Sequence, residues 1–420
     1  MNILFVNSVN AGGGASGYSS ALIKQFRSKG HHCDFIVGKL SEPNHEDGSF
    51  IDLAYKKSFI KIIIKFYEYF FKRLDWLMGF ERYKFPSSHY ILSIAKNYDV
   101  IHLNNLHGNY FDLRILPKLS KLTPTVVSLH DCWIFTGHCA HPFDCHKFQI
   151  ECGKCPNLKI PPSIAIDNTQ KNLTEKVKIL QSSKLAFIAN SDWLLRKFKS
   201  SKIGLEKIEV IHPGIDLNFF KRKHPLPKKI QNITISFMAV AADKNPFKDY
   251  ETIFKALKKI NPHGHSLMFQ CIGSTQDLSN TLENGVLIKH IKFQSKENLK
   301  NLYENTDIYI HSSQAESFGL AITEAMGLGC AILASDVGGI KEQLNHIHIN
   351  KINLTGTESF NAILFDRGKE SQLANALECL LTRPELITSM RINSLKQSKY
   401  FSIESCAASH LKLYENITVN

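Results

Sequence analysis

The chain has 420 residues, of which 43% are hydrophobic and 21% charged, and its formal net charge is +13. This composition is typical of a globular protein and excludes a disordered one, and the length suffices for two domains that each bury a core. Because the lysines are scattered, the positive charge favours a phosphorylated ligand or an anionic membrane surface over nucleic acid. No apolar stretch reaches the ~18 residues of a membrane-spanning helix.

The N-terminal segment predicts a strand, a glycine loop and a helix. Ile3 to Val6 has the pattern of a buried strand. The N-terminal segment lacks the basic start and the cleavage site of a signal peptide, which indicates a cytoplasmic protein. A loop containing Gly13 and Gly14 follows, and then a helix from Ala21 to Ser28. Such a loop suits close approach of the backbone to phosphate, but a plain tight turn explains it equally well.

Residues 58–78 predict a helix with one narrow polar stripe, formed by Lys61, Lys65, Glu68, Lys72 and Asp75. Its remaining surface is aliphatic and aromatic apart from Arg73, so it must pack against something. Two interpretations stay open. The helix is either buried in the N-terminal domain, or it lies in a membrane surface with its basic residues at the lipid headgroups.

Two predicted strands end in polar residues. The first, within residues 98–108, leads to His107, and the second, within residues 125–133, leads to His130 and Asp131. Ligands of open parallel sheets bind beyond the carboxyl ends of the strands, so both histidines are candidates for substrate contacts. His130 is the stronger candidate because Asp131 follows it, and a purely structural histidine is the alternative in both cases.

Four cysteines fall within seventeen residues, at Cys139, Cys145, Cys152 and Cys155. The last two form a Cys-x-x-Cys turn that contains a glycine, a spacing that suits a tetrahedral zinc site with four thiolate ligands. The loop around them is polar and long, so a metal that holds it together is physically reasonable. Two disulfides, which a reducing cytoplasm disfavours, and free thiols are the alternatives.

A second domain is predicted after the basic, proline-containing residues 221–229. Its loop with Asp243, Lys244 and Lys248 brings two cations close together in sequence. The elements expected around that loop are a strand from residue 233, a helix at 250–260, strands at 267–272 and 286–293, and a helix at 296–304. This alternation predicts a second doubly wound sheet.

Residues 311–342 carry the most specific pattern, with Glu316 in a polar loop and Glu324 in a predicted helix from Phe318 to Met326. A carboxylate pair could indicate a glycoside hydrolase. However, eight helical residues span about 12 Å, whereas hydrolytic carboxylates lie about 5–9.5 Å apart. The pattern instead favours a nucleotide sugar, with Glu316 beside the reacting group and Glu324 at hydroxyls further along.

The first residues of that helix predict the phosphate contact of the nucleotide sugar. The backbone amides at a helix start have no intrahelical partner and face an anion favourably. The amides of Phe318, Gly319 and Leu320 are expected to face the phosphate, and Ser317 is also expected to bind the donor.

The string Glu316-Ser-Phe-Gly-Leu-Ala-Ile-Thr-Glu324-Ala-Met-Gly and the later Asp-Val-Gly-Gly-Ile-Lys-Glu342 resemble the retaining glycosyltransferases of family 4 almost residue by residue. The His130-Asp131 pair and the four-cysteine loop are similar to a branch of that family found in bacterial colanic acid, exopolysaccharide and O-antigen gene sets. Further motifs extend the resemblance from residue 1 to about residue 415. The resemblance implies an α/β protein of the GT-B fold, with two doubly wound Rossmann-like domains facing a cleft.

The resemblance also implies a division of the chain. We expect an acceptor-binding domain at 1–215, a linker at 216–230, a donor-binding domain at 231–396 and a C-terminal helix within 397–420 that packs back on the first domain. In the family, the loop matching Gly13 and Gly14 faces the donor diphosphate and the acceptor. Lys248 matches the lysine of an Arg-x4-Lys pair that neutralises the diphosphate. Asp243 stands at the arginine position, and Lys244 is the nearest basic substitute.

The sequence therefore predicts transfer of a hexosyl or N-acetylhexosaminyl group from a UDP- or GDP-linked donor to a glycan hydroxyl, with retention implied by the resemblance. Glu316 and His130 are the expected catalytic residues. No cofactor is expected in catalysis, since the sequence has no Asp-x-Asp cluster, and zinc would be structural. Members of this branch extend glycans on polyprenyl diphosphate, so we expect a peripheral enzyme at the inner face of the cytoplasmic membrane.

Two other functions fit parts of the pattern. A nucleotide-sugar epimerase could use the same fold and the same donor site. A basic nucleic-acid-binding protein held together by zinc belongs to a different class, and the absence of aromatic residues interleaved on a basic face disfavours it. We therefore expect no nucleic-acid partner.

Overall fold

The computed structural model describes residues 1–39, 50–52, 59–80, 88–205, 207–227, 232–245, 247–352 and 359–418, with the backbone alone at 50–52 and 59–65. The chain forms two compact units. One comprises Met1–His212 with Cys406–Asn420, and the other comprises Pro213–Ser405. Each unit contains a mainly parallel sheet whose strands alternate with helices, which confirms the predicted α/β class.

The sheet of the first unit is parallel throughout its described strands. These are β1 (Asn2–Val9), β2 (His32–Lys39), β3 (Phe50–Asp52), β4 (Val100–Asn104), β5 (Thr125–Leu129), β6 (Leu185–Ala189) and β7 (Ile208–Val210). They pair in the order β3-β2-β1-β4-β5-β6-β7. Strand order reverses between β1 and β4, and ligands of such sheets bind at that reversal. β4 and β5 are wholly buried, which explains their continuous apolar sequences.

The helices of the first unit follow its strands. They are α1 (Gly14–Ser28), α2 (Phe59–Met78), α3 (Ser88–Ile94), α4 (Leu116–Leu122), α5 (Thr169–Gln181) and α6 (Asp192–Lys199). The predicted start of α1 at Ala21 is wrong, because the glycine loop runs directly into the helix. Gly13 is its N-cap residue, and the Gly13 amide donates to Ser16 Oγ at 3.2 Å.

The second sheet has one antiparallel pair, β10 with β11, at its edge. Its described strands are β8 (Asn232–Met238), β9 (Ser266–Ser274), β10 (Leu278–Thr281), β11 (Leu287–Lys292), β12 (Ile308–His311), β13 (Ala331–Ser335), β14 (His346–His348) and β15 (Ala362–Phe365). Their order is β10-β11-β9-β8-β12-β13-β15-β14. The order reverses between β8 and β12, so the loops after these two strands are where a ligand is expected.

The helices of the second unit include the predicted one at 296–304 with the same bounds. They are α7 (Tyr250–Lys259), α8 (Lys296–Glu304), α9 (Leu320–Gly327), α10 (Glu370–Leu381) and α11 (Pro384–Gln397). The segment after Pro213 also belongs to this unit. Phe220 is buried there, and Arg222 donates to the carbonyls of Glu304 and Leu328 at 2.6 and 3.1 Å. The part of the expected linker around these residues is therefore packed against the second unit.

The last helix, α12 (Ile403–Thr418), packs on the first unit from Cys406 onward. Tyr414 Oη lies 2.6 Å from His102 Nδ1, and His410 Nε2 lies 2.8 Å from Tyr18 Oη. All four side chains are buried. Polar bonds inside an apolar core are costly to break, so they fix the end of the chain to this unit.

The polar stripe of helix α2 is only partly exposed. Lys72 is exposed, and Glu68 and Asp75 are half-buried. Aromatic side chains of α2 are exposed as well: Phe66 is 73% exposed, Tyr69 63% and Phe70 56%. The interpretation as a core helix is therefore wrong for this part of α2. Side chains of Lys61 and Lys65 lie outside the described residues. None of the described helices is long and apolar enough to cross a membrane.

Candidate active site

The loop between β12 and α9 carries Glu316 and is paired with the loop before α7. Gln314 N donates to Phe247 O at 2.9 Å, and Asp249 N donates to Ser312 O at 3.0 Å. These backbone bonds give the two loops a fixed register, as in a short strand pair. Side chains from both loops are thereby held close together.

Paired glycines after β13 support the same loop from its other side. Gly339 N donates to Glu316 O at 3.3 Å. Gly338 has a φ of +58°, and a Cβ atom there would lie 1.6 Å from Glu316 O. Only glycine fits both the conformation and the contact, which explains why the sequence has glycines here.

The paired loops bring four polar side chains into one cluster. Lys248 Nζ donates to Glu316 Oε2, and it lies 3.2 Å from Ser313 Oγ and 3.4 Å from His311 Nε2. The same His311 nitrogen lies 3.3 Å from Glu316 Oε2. His311 and Ser313 are buried, and Lys248 and Glu316 each keep 19% of their side chain exposed. We call Lys248, His311, Ser313 and Glu316 the 248/316 cluster.

Burial and neighbouring charges set the ionisation of this cluster. Burial by itself raises the pKa of Glu316, but the charge of Lys248 and the hydrogen bonds from His311 and Lys248 outweigh it and hold that pKa well below its usual range. Burial, assisted by Lys248 and opposed by Glu316, lowers the pKa of His311 to about 4. At neutral pH the cluster therefore contains a carboxylate, a neutral imidazole and a lysine that neutralises the carboxylate.

Glu324 lies on the second turn of α9 and is half-buried. Its carboxyl group has no hydrogen-bond or ion-pair partner within the described parts of the chain. Burial raises its pKa to about 7, and the charge of Lys296 opposes this effect. A carboxyl group held ready without a partner is suited to bind hydroxyl groups of a ligand.

The start of α9 differs from the expected one. Gly319 is the N-cap residue, with a left-handed φ of +93°, so the helix begins at Leu320 and not at Phe318. The physical reason is that a left-handed residue cannot belong to a right-handed helix. Among the described residues, the amides of Gly319, Leu320 and Ala321 have no acceptor. They are the donors that an anion would meet here.

The side chains around this turn have packing roles that the sequence did not indicate. Phe318 is buried, and its ring lies 5.8 Å from that of Phe401. Buried Gln343 donates to Phe318 O at 2.5 Å and accepts from Thr323 Oγ1 at 2.6 Å. The hydroxyl of Ser317 is buried without a partner in the described structure, which leaves one polar atom for a ligand to satisfy.

The charged residues of the loop after β8 have different environments. Asp243 accepts hydrogen bonds from Thr275 N at 2.8 Å and from Thr275 Oγ1 at 2.7 Å, so it holds a turn. Lys244 is exposed, and its ammonium group has no hydrogen bond or ion pair in the described residues. The structure thus brings Lys248 into the 248/316 cluster and leaves Lys244 outside it.

In the first unit, His130 lies at the end of β5. Its Nε2 is 2.9 Å from Asn104 Oδ1, and its ring meets Tyr18 edge-on at 5.6 Å. Burial lowers the pKa of His130 to about 4; the charge of Asp131 opposes this and that of His107 assists it. His130 is therefore a neutral imidazole at neutral pH, fitted to hydrogen-bond a hydroxyl group.

Asp131 pairs with His107 instead of His130. His107 Nε2 lies 2.8 Å from Asp131 Oδ2, and Trp133 N donates to Asp131 Oδ1 at 2.8 Å. Burial alone would raise the pKa of Asp131, but His107 and these hydrogen bonds bring it to about 2. His107, the weaker histidine candidate, thus pairs with Asp131, the residue that had made His130 the stronger one.

The remaining predicted site residues also lie in the first unit. Gly13 and Gly14 are exposed at the start of α1, beyond the end of β1. The four cysteines line one cavity in the loop between β5 and α5. His311 and Asn104 were not among the site residues predicted from the sequence. Each is at the end of a parallel strand, so the same rule that selected His130 could have found both.

Comparison with known proteins identifies two family models that together match most of the chain. The model described as "Glycosyltransferase Family 4" matches residues 12–219, and "Glycosyl transferases group 1" matches residues 221–397. These ranges contain His130 and the 248/316 cluster, respectively.

Two curated relatives match parts of the chain. The putative colanic acid biosynthesis glycosyl transferase WcaC of Escherichia coli K12 is 24% identical over 255 residues, which are 58% of this chain and 62% of that protein. A D-inositol 3-phosphate glycosyltransferase of Rhodococcus opacus is 21% identical over 287 residues, 63% and 60% of the two chains. The chain thus spans about three fifths of the length of the curated relatives it matches.

Solved structures are similar over the full length. HepE from Anabaena in complex with UDP has a TM-score of 0.63 at 17% identity and covers 99% of this chain and 100% of its own; in complex with UDP-glucose its TM-score is 0.62. WaaG, a glycosyltransferase involved in lipopolysaccharide biosynthesis, has a TM-score of 0.62 at 13% identity and covers 100% of both chains. At these identities the likeness shows the fold, which is GT-B.

Proposed function

The chain belongs to glycosyltransferase family 4, and from that membership we propose that it transfers a sugar from a UDP- or GDP-linked donor to a hydroxyl group of a glycan acceptor. The observation that carries the proposal is the 248/316 cluster beside the unpaired amides that begin α9. It combines a cation, a carboxylate and a neutral imidazole at the ends of two strands. The UDP and UDP-glucose complexes of HepE support a nucleotide-sugar donor.

In this proposal Lys248 changes its partner when the donor binds. The diphosphate accepts hydrogen bonds from Lys248 and from the amides of Gly319 and Leu320, and Lys248 leaves Glu316. The freed carboxylate of Glu316 then binds hydroxyl groups of the sugar, and Glu324 binds the ribose. Lys244 is the nearest additional cation for the second phosphate.

The proposed reaction keeps the configuration at the anomeric carbon. The bond from that carbon to the leaving phosphate oxygen breaks, and the acceptor oxygen bonds to the carbon from the same face. The acceptor proton passes to the leaving phosphate, whose charge Lys248 and the α9 amides stabilise. His130 hydrogen-bonds the acceptor or the transferred sugar. This route requires no carboxylate nucleophile, and it suits Glu316 because that carboxylate is proposed to bind hydroxyl groups of the sugar.

A panel of UDP-, GDP- and ADP-linked sugars tests the proposal. Thermal shift and slow donor hydrolysis should select one nucleotide and one sugar. Lys248→Met should abolish the thermal shift, and Lys255→Met, which changes an exposed lysine on the same unit, should leave it unchanged. Conversion of a donor into its epimer without release of the nucleoside diphosphate would favour an epimerase.

The acceptor is proposed to be a lipid-linked glycan of bacterial surface polysaccharide synthesis, reached from the cytoplasmic face of the membrane. The names of WcaC and WaaG support this class of pathway. On α2 the exposed residues Phe66, Tyr69, Phe70, Arg73 and Trp76 recur at helical spacing on one face. An aromatic face that carries a basic residue is typical of helices that lie in a membrane surface.

A cavity of about 340 Å³ beside α2 supports the same interpretation. Its lining includes Lys72 and Arg73, one acidic residue, Asp75, and the rings of Tyr69 and Trp76. The two cations suit an acceptor diphosphate, and the rings suit the first isoprene units. Recognition of this kind needs no transmembrane helix.

Binding to vesicles tests the membrane proposal. We expect the protein to bind vesicles that contain anionic lipids at low salt. Lys72→Glu with Arg73→Glu should weaken binding at least thirtyfold, since each basic residue contributes about 1 kcal/mol. Phe70→Ser should also weaken it, whereas Phe293→Ser, at a 62% exposed site on the second unit, should not. A wild-type protein that ignores anionic vesicles would contradict the proposal.

A further inference from the structure

The loop between β5 and α5 contains four cysteines that line one cavity. Each of the four is half-buried and free. We propose that this loop binds one structural zinc ion through the thiolates of Cys139, Cys145, Cys152 and Cys155. The proposal concerns this loop alone and does not depend on the proposed function.

The Cys-x-x-Cys turn has the backbone shape of a ligand loop. Gly153 and Lys154 have φ of +129° and +45°, two successive left-handed residues that bend the chain sharply between the two cysteines. Lys147 Nζ donates to the carbonyls of both, at 2.9 and 2.5 Å. Its charge also lies beside the place where four thiolates and one zinc ion would leave a net charge of −2.

His138 is a fifth side chain at the cavity, and it is buried. Its Nδ1 lies 3.0 Å from Pro162 O and donates to it, so Nε2, which is 3.4 Å from Cys155 Sγ, is a hydrogen-bond acceptor. The thiol of Cys155 therefore donates to His138. This contact positions Cys155, and we assign the four metal ligands to the cysteines.

Metal binding would contract the cluster. No three of the four sulfur atoms lie within 4.8 Å of one another. Tetrahedral zinc with bonds of about 2.3 Å places its sulfur ligands about 3.8 Å apart. We therefore expect the loop to close around the ion, with the release of one proton from each thiol.

The contracted loop would stabilise the strand end that carries His130. Cys132 N donates to Ala140 O at 2.8 Å, and Ala140 N donates to Pro161 O at 2.9 Å. Thr136 Oγ1 donates to Cys139 O at 2.7 Å. Residues that immediately follow His130 and Asp131 are thus bonded to the cysteine loop, so a metal there fixes their position.

Elemental analysis of the full chain, purified without a metal-affinity column or chelator, tests the proposal. We expect one zinc per chain, and cobalt replacement should give the intense thiolate-to-metal absorption of a four-sulfur site. Cys152→Ser should lose the metal and lower the melting temperature. Cys379→Ser changes a half-buried cysteine of the second unit and should keep both. His138→Ala should retain one zinc, because the imidazole is not a ligand.

Thiol alkylation keeps the test decisive if Cys152→Ser does not fold. In the wild-type protein the four cysteines should resist alkylation with zinc and react after removal of zinc by a chelator. Metal-free wild-type protein with four reactive thiols, or with two disulfides, would overturn the proposal. Loss of zinc from a folded His138→Ala variant would overturn the four-thiolate ligand set.

Discussion

Replacing Glu316 by glutamine should tighten the binding of a nucleoside diphosphate while it abolishes sugar transfer. Glu316 holds Lys248 in an ion pair, and each side chain is 19% exposed. An exposed ion pair contributes about 0–1 kcal/mol to stability, whereas removal of one partner of a fully buried pair costs about 3–5 kcal/mol. The energy of a pair with this partial exposure lies between these limits. About 1–2 kcal/mol must therefore be overcome before Lys248 can bind phosphate. Without this cost, the affinity for the nucleotide should be about five- to thirtyfold higher.

Calorimetry with UDP and GDP at neutral pH measures this effect. Glu316→Gln should bind the preferred nucleotide more tightly than wild type, Lys248→Met more weakly, and transfer should fall at least a hundredfold in both. Glu251→Gln is the matched control, because its exposed pair with Lys255 lies elsewhere on the same unit. If Glu316→Gln weakened nucleotide binding as much as Lys248→Met, the idea of competition for Lys248 would be refuted.

Three further predictions concern the pH dependence and the folding of the two units. The raised pKa of Glu324, about 7 against the usual 4.5, stabilises the fold fully below about pH 4.5, and this contribution is lost as the pH rises through 7. The nucleotide affinity of the wild-type protein, measured by calorimetry, should rise as the pH rises through 7. A ratio of wild-type to Glu324→Gln affinity that does not change with pH would show that Glu324 does not bind the ribose. Gly338→Ala should lower the melting temperature and abolish nucleotide binding, because its Cβ meets Glu316 O. Gly285 also has a left-handed φ, +87°, but has open space around it, so Gly285→Ala should cost only about 1–2 kcal/mol and leave binding intact. Tyr414→Phe leaves His102 Nδ1 buried without its partner and should lower the free energy of unfolding by about 1–3 kcal/mol, as measured by denaturant titration; no change would show that water replaces the hydroxyl.

The sequence predicted most elements that carry long apolar periods or clear caps. Helix α8 has its predicted bounds because Ser295 caps its start. The starts of α1 and α9 were wrong for opposite reasons. Glycine allowed α1 to begin earlier, and the left-handed Gly319 made α9 begin later. Several elements were not predicted. Strands β10, β14 and β15 are only three or four residues long and have weak alternation. The longer elements β2, α5, α10 and α11 were also missed.

At the site, the motif predicted the residue types but not their contacts. Glu316 and Lys248 are 68 residues apart in sequence, and their pairing depends on the register between two loops, which composition does not encode. The same limit applies to His107, which meets Asp131 only because β4 and β5 are neighbours. On α2 the pattern showed an amphipathic helix, but it did not indicate which face would be exposed.

Product analysis with the selected nucleotide sugar and a lipid-linked acceptor tests the central claim most directly. We predict that wild-type protein releases the nucleoside diphosphate and forms a new glycosidic bond, and that NMR shows the anomeric configuration of the donor preserved in the product. The Glu316→Gln variant should bind the nucleotide and form no product. Transfer by Glu316→Gln at the wild-type rate, or inversion at the anomeric carbon, would contradict the assigned site and its chemistry.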